Sequence, residues 1–207
     1  VHATTVNDYD WSLVRGKPYL YRLFFGLSKP KNPIPGMELS GTIEQSGKKV
    51  DKWKKGDAVM GDISDYGFGS FAEYVCIHQD ALVTKPNHLS FEEAAAIPHA
   101  STLAQQALED LGQISSKERV LINGAGGGVG SLGLQIAKMY DCEVTGVDSS
   151  AKLEKMRALG FDEVIDYQKT DFTKNGLRYD LILDCKSSKS PFSYLRALNK
   201  NGRYIST

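Results

Sequence analysis

Cysteine is scarce and scattered: Cys76, Cys142 and Cys185 stand far apart in a chain of 207 residues, with no C-x-x-C pair among them. That spacing excludes a disulfide framework and a four-cysteine zinc lobe, and it suits a reducing compartment. Net charge is also missing, because 25 basic residues balance 25 acidic ones. No overall field draws such a chain to nucleic acid or to an anionic membrane, so a small molecule is the expected partner. No apolar run approaches the ~18 residues of a membrane span, and no charged-then-apolar leader opens the chain. Together these absences predict a soluble, cytoplasmic protein with no nucleic-acid or membrane partner, while a homodimer stays open. An initiating Met is lacking too, and the closing GRYIST stops inside an apparent strand. The sequence therefore reads as a fragment, short of its first strands and of its carboxyl-terminal part.

What is present is organised around Arg119 to Lys138, RVLINGAGGGVGSLGLQIAK. Val120 to Ile122 make a short apolar run. Gly124, Ala125, Gly126, Gly127, Gly128, Val129 and Gly130 then leave a turn almost bare of side chains. Val129, Leu132, Gly133, Ile136, Ala137 and Tyr140 follow at helical spacing, one apolar face fit to lie on a sheet. Strand, bare turn and helix suit a pyrophosphate, because backbone N–H groups at a helix N-terminus can then approach the anion and the helix dipole favours it. Gly124, Gly127 and Gly130 form G-x-x-G-x-x-G, and the usual G-x-G-x-x-G fails at Val129 or Ser131. A second strand, Glu143 to Val147, ends in Asp148 about 20 residues on, where a dinucleotide-binding unit keeps its ribose carboxylate. The competing explanation is a glycine turn that serves only close packing.

Before this stretch, MELSGTIEQSG, KKGDAVMGD and SFAEYVCI read as short strands of a small barrel, and KPKNPIPG as an extended loop. Tyr9, Trp11, Tyr19, Tyr21, Phe24 and Phe25 crowd the preceding segment, as core or as substrate lining. Ser90 with Glu93 predicts a capping box, Pro98 a break, and Gly112 the stop of a second helix running to Leu111. Beyond the glycine turn come a helix closed by Gly160, strands at 163–165 and 179–184, a helix at 191–198 and a strand at 203–206. Five strands alternating with helices predict an α/β, doubly wound parallel sheet, with its ligand crevice where Gly124, Asp148, Asp166, Asp184 and Ser206 end or follow strands. Cys185 falls at the same edge and is expected to line the cofactor with them.

Asn7, Asp10, Arg15, Gly16, PGMELSGTIEQSG, GDAV, GSFAEY and the glycine turn with LGLQIAK occur in one order across nearly the whole chain. This set resembles the medium-chain dehydrogenase/reductase superfamily, and within it the zinc-independent quinone oxidoreductase branch. The resemblance implies a GroES-like barrel over residues 1–97 and a Rossmann domain over 98–207. It also implies NADP(H), with NAD(H) possible, as hydride donor to quinones or other α,β-unsaturated carbonyls. A weakly catalytic nucleotide-binding scaffold and an alcohol dehydrogenase are the alternatives. Where zinc members of the superfamily carry Gly-His-Glu, this chain has Gly36, Met37 and Glu38. A thioether is a poor zinc ligand, so no metal is expected. His2, His78, His88 and His99 have no His or Cys at ligand spacing and read as surface or packed residues.

The resemblance places Asn7 near the nicotinamide, although a buried amide can also serve a loop carbonyl. Tyr66, before GSFAEY, is placed to donate to a carbonyl oxygen or simply to pack. Asp10 and Arg15 read as a loop-fixing charge pair. At the adenosine end, Asp148 favours NADH, because a carboxylate accepts from ribose hydroxyls and repels a 2′-phosphate. Ser149, Ser150 and Lys152 oppose it with two hydroxyls and an ammonium at a helix mouth, and Tyr167 matches in spacing the family tyrosine beside the adenosine. Ser149 as a plain helix cap and Lys152 as a solvated lysine are the alternatives.

Overall fold

The computed structural model describes residues 1–207 and divides into two compact units, Val1–His99 and Ala100–Thr207.

In the first unit, helix α1 (Asp8–Arg15) starts where the Asp10 carboxylate accepts the Asn7 N–H at 3.1 Å, and ends at Gly16, whose φ of 58° a side chain would resist. A short helix α2 (Tyr21–Phe25) follows. Strands β1 (Glu38–Thr42), β2 (Ala58–Asp62) and β3 (Val83–Thr84) form an antiparallel sheet in that order. Leu39, Val59, Ile63, Ala81 and Leu82 close a small core against it. Helix α3 (Phe91–Ala95) has the expected capping box, with Ser90 N donating to Glu93 Oε2 at 2.8 Å and Glu93 N to Ser90 Oγ at 3.1 Å. Helix α4 (Pro98–Gln105) begins at the proline, and a π-helical turn carries it to Leu111 before Gly112.

One expectation about the elements of this unit needs correction. SFAEYVCI is not a strand: Val75 and Ile77 pack on the core while Tyr74, Cys76 and His78 face out, yet no ladder forms along it. Its long-range backbone bonds are isolated ones: Ser70 N donates to Gly36 O at 3.2 Å, Phe71 N to Pro35 O at 3.1 Å and Val1 N to Glu73 O at 2.7 Å. Alternation belongs to the side chains, and a ladder needs a neighbour. The crowded aromatics also divide by role. Tyr9, Tyr21, Phe25 and Phe68 form a cluster whose touching rings have centroids 5.8–6.3 Å apart, whereas Trp11, Tyr19 and Phe24 are exposed.

The second unit is a five-stranded sheet, all parallel, built from β4 (Arg119–Asn123), β5 (Glu143–Asp148), β6 (Glu163–Asp166), β7 (Tyr179–Asp184) and β8 (Leu198–Ser206) in the order β6-β5-β4-β7-β8. The strands run outward from β4 to one side and then restart on its other side, which sets a switch point beside β4. Helices α5 (Gly128–Met139) and α6 (Ser150–Leu159) connect the first three strands, and α6 ends at Gly160 as read from the sequence. Helix α7 (Pro191–Tyr194) is shorter than expected and gives way to a 3₁₀ turn. Strand β8 begins at Leu198, ahead of the expected start at Arg203. Asn199 to Gly202 bulge out of the ladder, because Tyr179 pairs with Leu198 and Leu181 with Arg203. Leu121, Val147, Tyr179, Ile182 and Tyr194 fill one face of the sheet, and Leu108, Val120, Ile122, Leu134 and Met156 the other.

Candidate functional site

In the second unit the register brings Asn123, Asp148, Asp166, Asp184 and Ser206 to one edge. Gly124 turns the chain out of β4 with φ at 87°, and an added Cβ would stand 3.2 Å from that of Cys185. Gly124 and Ala125 N–H groups both bond the Val147 carbonyl, which ties the turn to β5. Gly127 caps α5 with extended backbone, and the first N–H to find a helical partner is that of Ser131, onto Gly127 O at 3.0 Å. The N–H groups of Gly128, Val129 and Gly130 are thus the helix's open donors. Gly130 instead permits close packing within the turn, since a Cβ there would lie 2.6 Å from the Ala125 backbone. At Gly127 a Cβ would meet only the Gly124 carbonyl, at 3.3 Å. Open donors and a bare approach fit a pyrophosphate.

Asp148 is heavily bonded. Its Oδ1 accepts Ser149 N at 2.8 Å, and its Oδ2 accepts Gly126 N at 2.9 Å and Lys152 Nζ at 3.3 Å. Burial pushes this carboxyl up, but the two N–H groups and the Lys152 charge outweigh it and hold it below its ordinary value. Lys152 is therefore not a freely solvated lysine, and Ser149 does not cap α6 with its side chain. Ser150 opens α6, and Tyr167, half exposed, donates its N–H to Asp148 O at 3.2 Å. Cys185 is half-buried beside Gly124, and burial pushes its thiol up to about 11, so it is neutral and packs. Asp148 thus ties Gly126 of the turn to Ser149, Lys152 and the Tyr167 backbone.

The first unit holds a polar cluster that sequence reasoning only half found. Asn7 Nδ2 donates to Glu38 Oε2 at 2.8 Å and to Thr5 Oγ1 at 3.3 Å, and Thr5 Oγ1 also donates to Glu38. The buried Glu38 accepts His99 N through Oε1 at 2.6 Å. Asn7 thus serves a carboxylate rather than a loop carbonyl. His99 is not an ordinary packed histidine, because its Nδ1 lies 2.7 Å from Asp62 Oδ2. That hydrogen bond raises the imidazole against the opposing effect of burial. Burial likewise pushes Asp62 up, but bonds from His99 and Ser64 hold it below its ordinary value. The expected Asp10–Arg15 pair does not form. Asp10 accepts Asn7 N and Gly36 N, each at 3.1 Å, and burial lifts its carboxyl despite them. Arg15 lies over the Trp11 ring at 5.3 Å. Tyr66 stands outside the cluster, stacked on His78 at 5.4 Å. Met37 is buried, and no three His, Cys, Asp or Glu side chains converge as a metal cage. Glu38 pairs with Asp62 in the β1–β2 register, but that pairing cannot be read from either residue's sequence neighbours.

Residues 1–87 match the family model for the alcohol dehydrogenase GroES-like domain, and residues 128–207 the one for zinc-binding dehydrogenases. The chain is 36% identical over 190 residues to 2-methylene-furan-3-one reductase of Solanum lycopersicum, covering 88% of this chain and 47% of that one. It is 33% identical over 192 residues to the chloroplastic NADPH-dependent alkenal/one oxidoreductase of Arabidopsis thaliana, covering 89% and 48%. The solved quinone oxidoreductase of Coxiella burnetii superposes with a TM-score of 0.88 at 29% identity, over 100% of this chain and 64% of that one. The chain spans about half the length of these curated relatives.

Proposed function

The chain belongs to the medium-chain dehydrogenase/reductase superfamily, in its quinone oxidoreductase-like branch, and from that premise we infer that the whole protein reduces quinones or other α,β-unsaturated carbonyls with NADPH and without zinc. The observation that carries this reading is the β4 turn with its open Gly128, Val129 and Gly130 N–H groups, one strand away from Asp148 and Lys152. When bound there, a nicotinamide dinucleotide supplies the hydride. The N–H groups hold the pyrophosphate, and Ser149, Ser150, Lys152 and Tyr167 serve the adenosine end. Lys152 compensates the Asp148 charge in place, which lowers the repulsion a 2′-phosphate would otherwise meet and supports NADPH over NADH.

Met37 in place of a histidine supports the metal-free part of the reading. Without a Lewis acid, an isolated ketone or alcohol is poorly polarised, whereas a conjugated acceptor takes hydride at carbon and its proton from solvent. Asn7 and Tyr66 are the proposed groups at the reacting end, and of these Asn7 is the one fixed by a half-buried network through Glu38. The test is NADPH oxidation by the full-length protein with a quinone, an alkenal and an enone. Tight NADPH binding without turnover of any of the three would favour a nucleotide-binding scaffold instead.

A further inference from the structure

Charge is balanced over the whole chain but not locally. Between Asp10 and Glu38 there are five cations, Arg15, Lys17, Arg22, Lys29 and Lys31, and no acidic residue. The same segment exposes large apolar side chains: Trp11, Tyr19, Leu20, Leu23, Phe24 and Leu27 are each 55–69% accessible. The cations and rings interleave. Arg15 lies over Trp11, Lys17 and Arg22 flank Tyr19 at 5.8 and 5.1 Å, and Arg22 Nε bonds Gly16 O at 3.0 Å. Helix α2 is divided between two environments, with Tyr21 and Phe25 turned to Tyr9 and Phe68 and with Arg22, Leu23 and Phe24 turned out. The same segment contributes to a cavity of about 390 Å³ whose lining includes Leu13, Arg15, Tyr21, Phe25, Lys29 and Phe68.

A soluble surface rarely leaves so many aromatic and aliphatic groups together, and an apolar protein partner would not need five uncompensated cations. Aromatic and aliphatic groups that enter the headgroup region, ringed by Lys and Arg, match an anionic lipid surface. We propose that the segment from Trp11 to Ile34 is a membrane-docking face that seats the protein on bilayers containing anionic lipid. The proposal runs against the expectation, drawn from balanced charge and the lack of a membrane-length apolar run, that membranes are not a partner. The face docks without spanning, since no helix is long and apolar enough to cross a membrane.

The experiment is co-sedimentation of the full-length protein with phosphatidylcholine vesicles, with and without phosphatidylserine. Binding is expected only with phosphatidylserine, and it should fall steeply as salt is raised. Lys29→Glu with Lys31→Glu should weaken binding at least ten-fold, given roughly five-fold per basic residue lost. Leu23→Ser with Phe24→Ser should weaken it at unchanged charge, and circular dichroism confirms that both variants fold. Equal binding to both vesicle types, no binding to either, or binding unchanged in both folded variants would overturn the proposal.

Discussion

At the residue scale, His99 and Asp62 set a pH dependence whose sign can be worked out. The His99 imidazole is raised in the folded chain, so its contribution is complete below the unfolded value of ~6.5 and disappears as pH climbs through the raised one. Asp62 is lowered, so its contribution is present above ~3.9 and is lost on acidification. The pair therefore stabilises most between those limits. Replacing His99 by Gln should cost about 1 kcal/mol near pH 5.5, where the imidazole is charged, and progressively less as pH rises through its raised value, as read from urea melts across a pH series that extends to the alkaline side. A cost that does not change anywhere across the series would mean that the ion pair contributes nothing. Two glycines of the same turn should also part company. Gly130→Ala puts a Cβ against the Ala125 backbone and should destabilise by about 1–3 kcal/mol. Gly127→Val should spare most of the stability and abolish dinucleotide binding, because its side chain takes the space the phosphates need. Calorimetry with NADPH and a thermal melt on each variant separate the two effects.

At the scale of elements, the proposed preference for NADPH rests on the β5–α6 corner. Asp148 and Lys152 are one unit, so removing the lysine both deletes a cation and frees a carboxylate. Lys152→Ala should weaken NADPH by about 1 kcal/mol or more and leave NADH nearly unchanged. Equal losses for both, or a wild-type preference for NADH, would show that Asp148 governs the corner. This corner was legible in the sequence, because a strand, its terminal carboxylate and the following helix mouth are contiguous and local spacing positions them. The same holds for the Ser90 box, the Gly160 stop and the five-strand alternation. Elements whose identity depends on distant neighbours were not legible. SFAEYVCI alternates like a strand but finds no ladder partner, and β8 continues through Lys200 to Gly202 because β7 receives it despite the bulge. Glu38, Asp62 and His99 meet only through the β1–β2 register and the start of α4, so no window of sequence showed them together.

At the scale of the whole molecule, the choice lies between zinc-free reduction of conjugated carbonyls and zinc-dependent alcohol chemistry. The family models carry the zinc name, so membership alone does not decide it. The donor set does bear on it: the residue between Gly36 and Glu38 is a buried thioether, and Glu38 is committed to Thr5, Asn7 and His99 N rather than open to a cation. A carboxylate bonded in this way has little left for a metal. Elemental analysis of the full-length protein is therefore expected to find no stoichiometric zinc, and chelator should leave NADPH oxidation by a quinone or an enone unchanged. Under the same conditions a primary alcohol with NADP⁺ should give no detectable turnover, since its oxidation needs the alkoxide that a metal would stabilise. About one tightly held zinc per chain, with activity lost to chelator, would move the protein to the alcohol dehydrogenase reading and return Glu38 to a role near the metal.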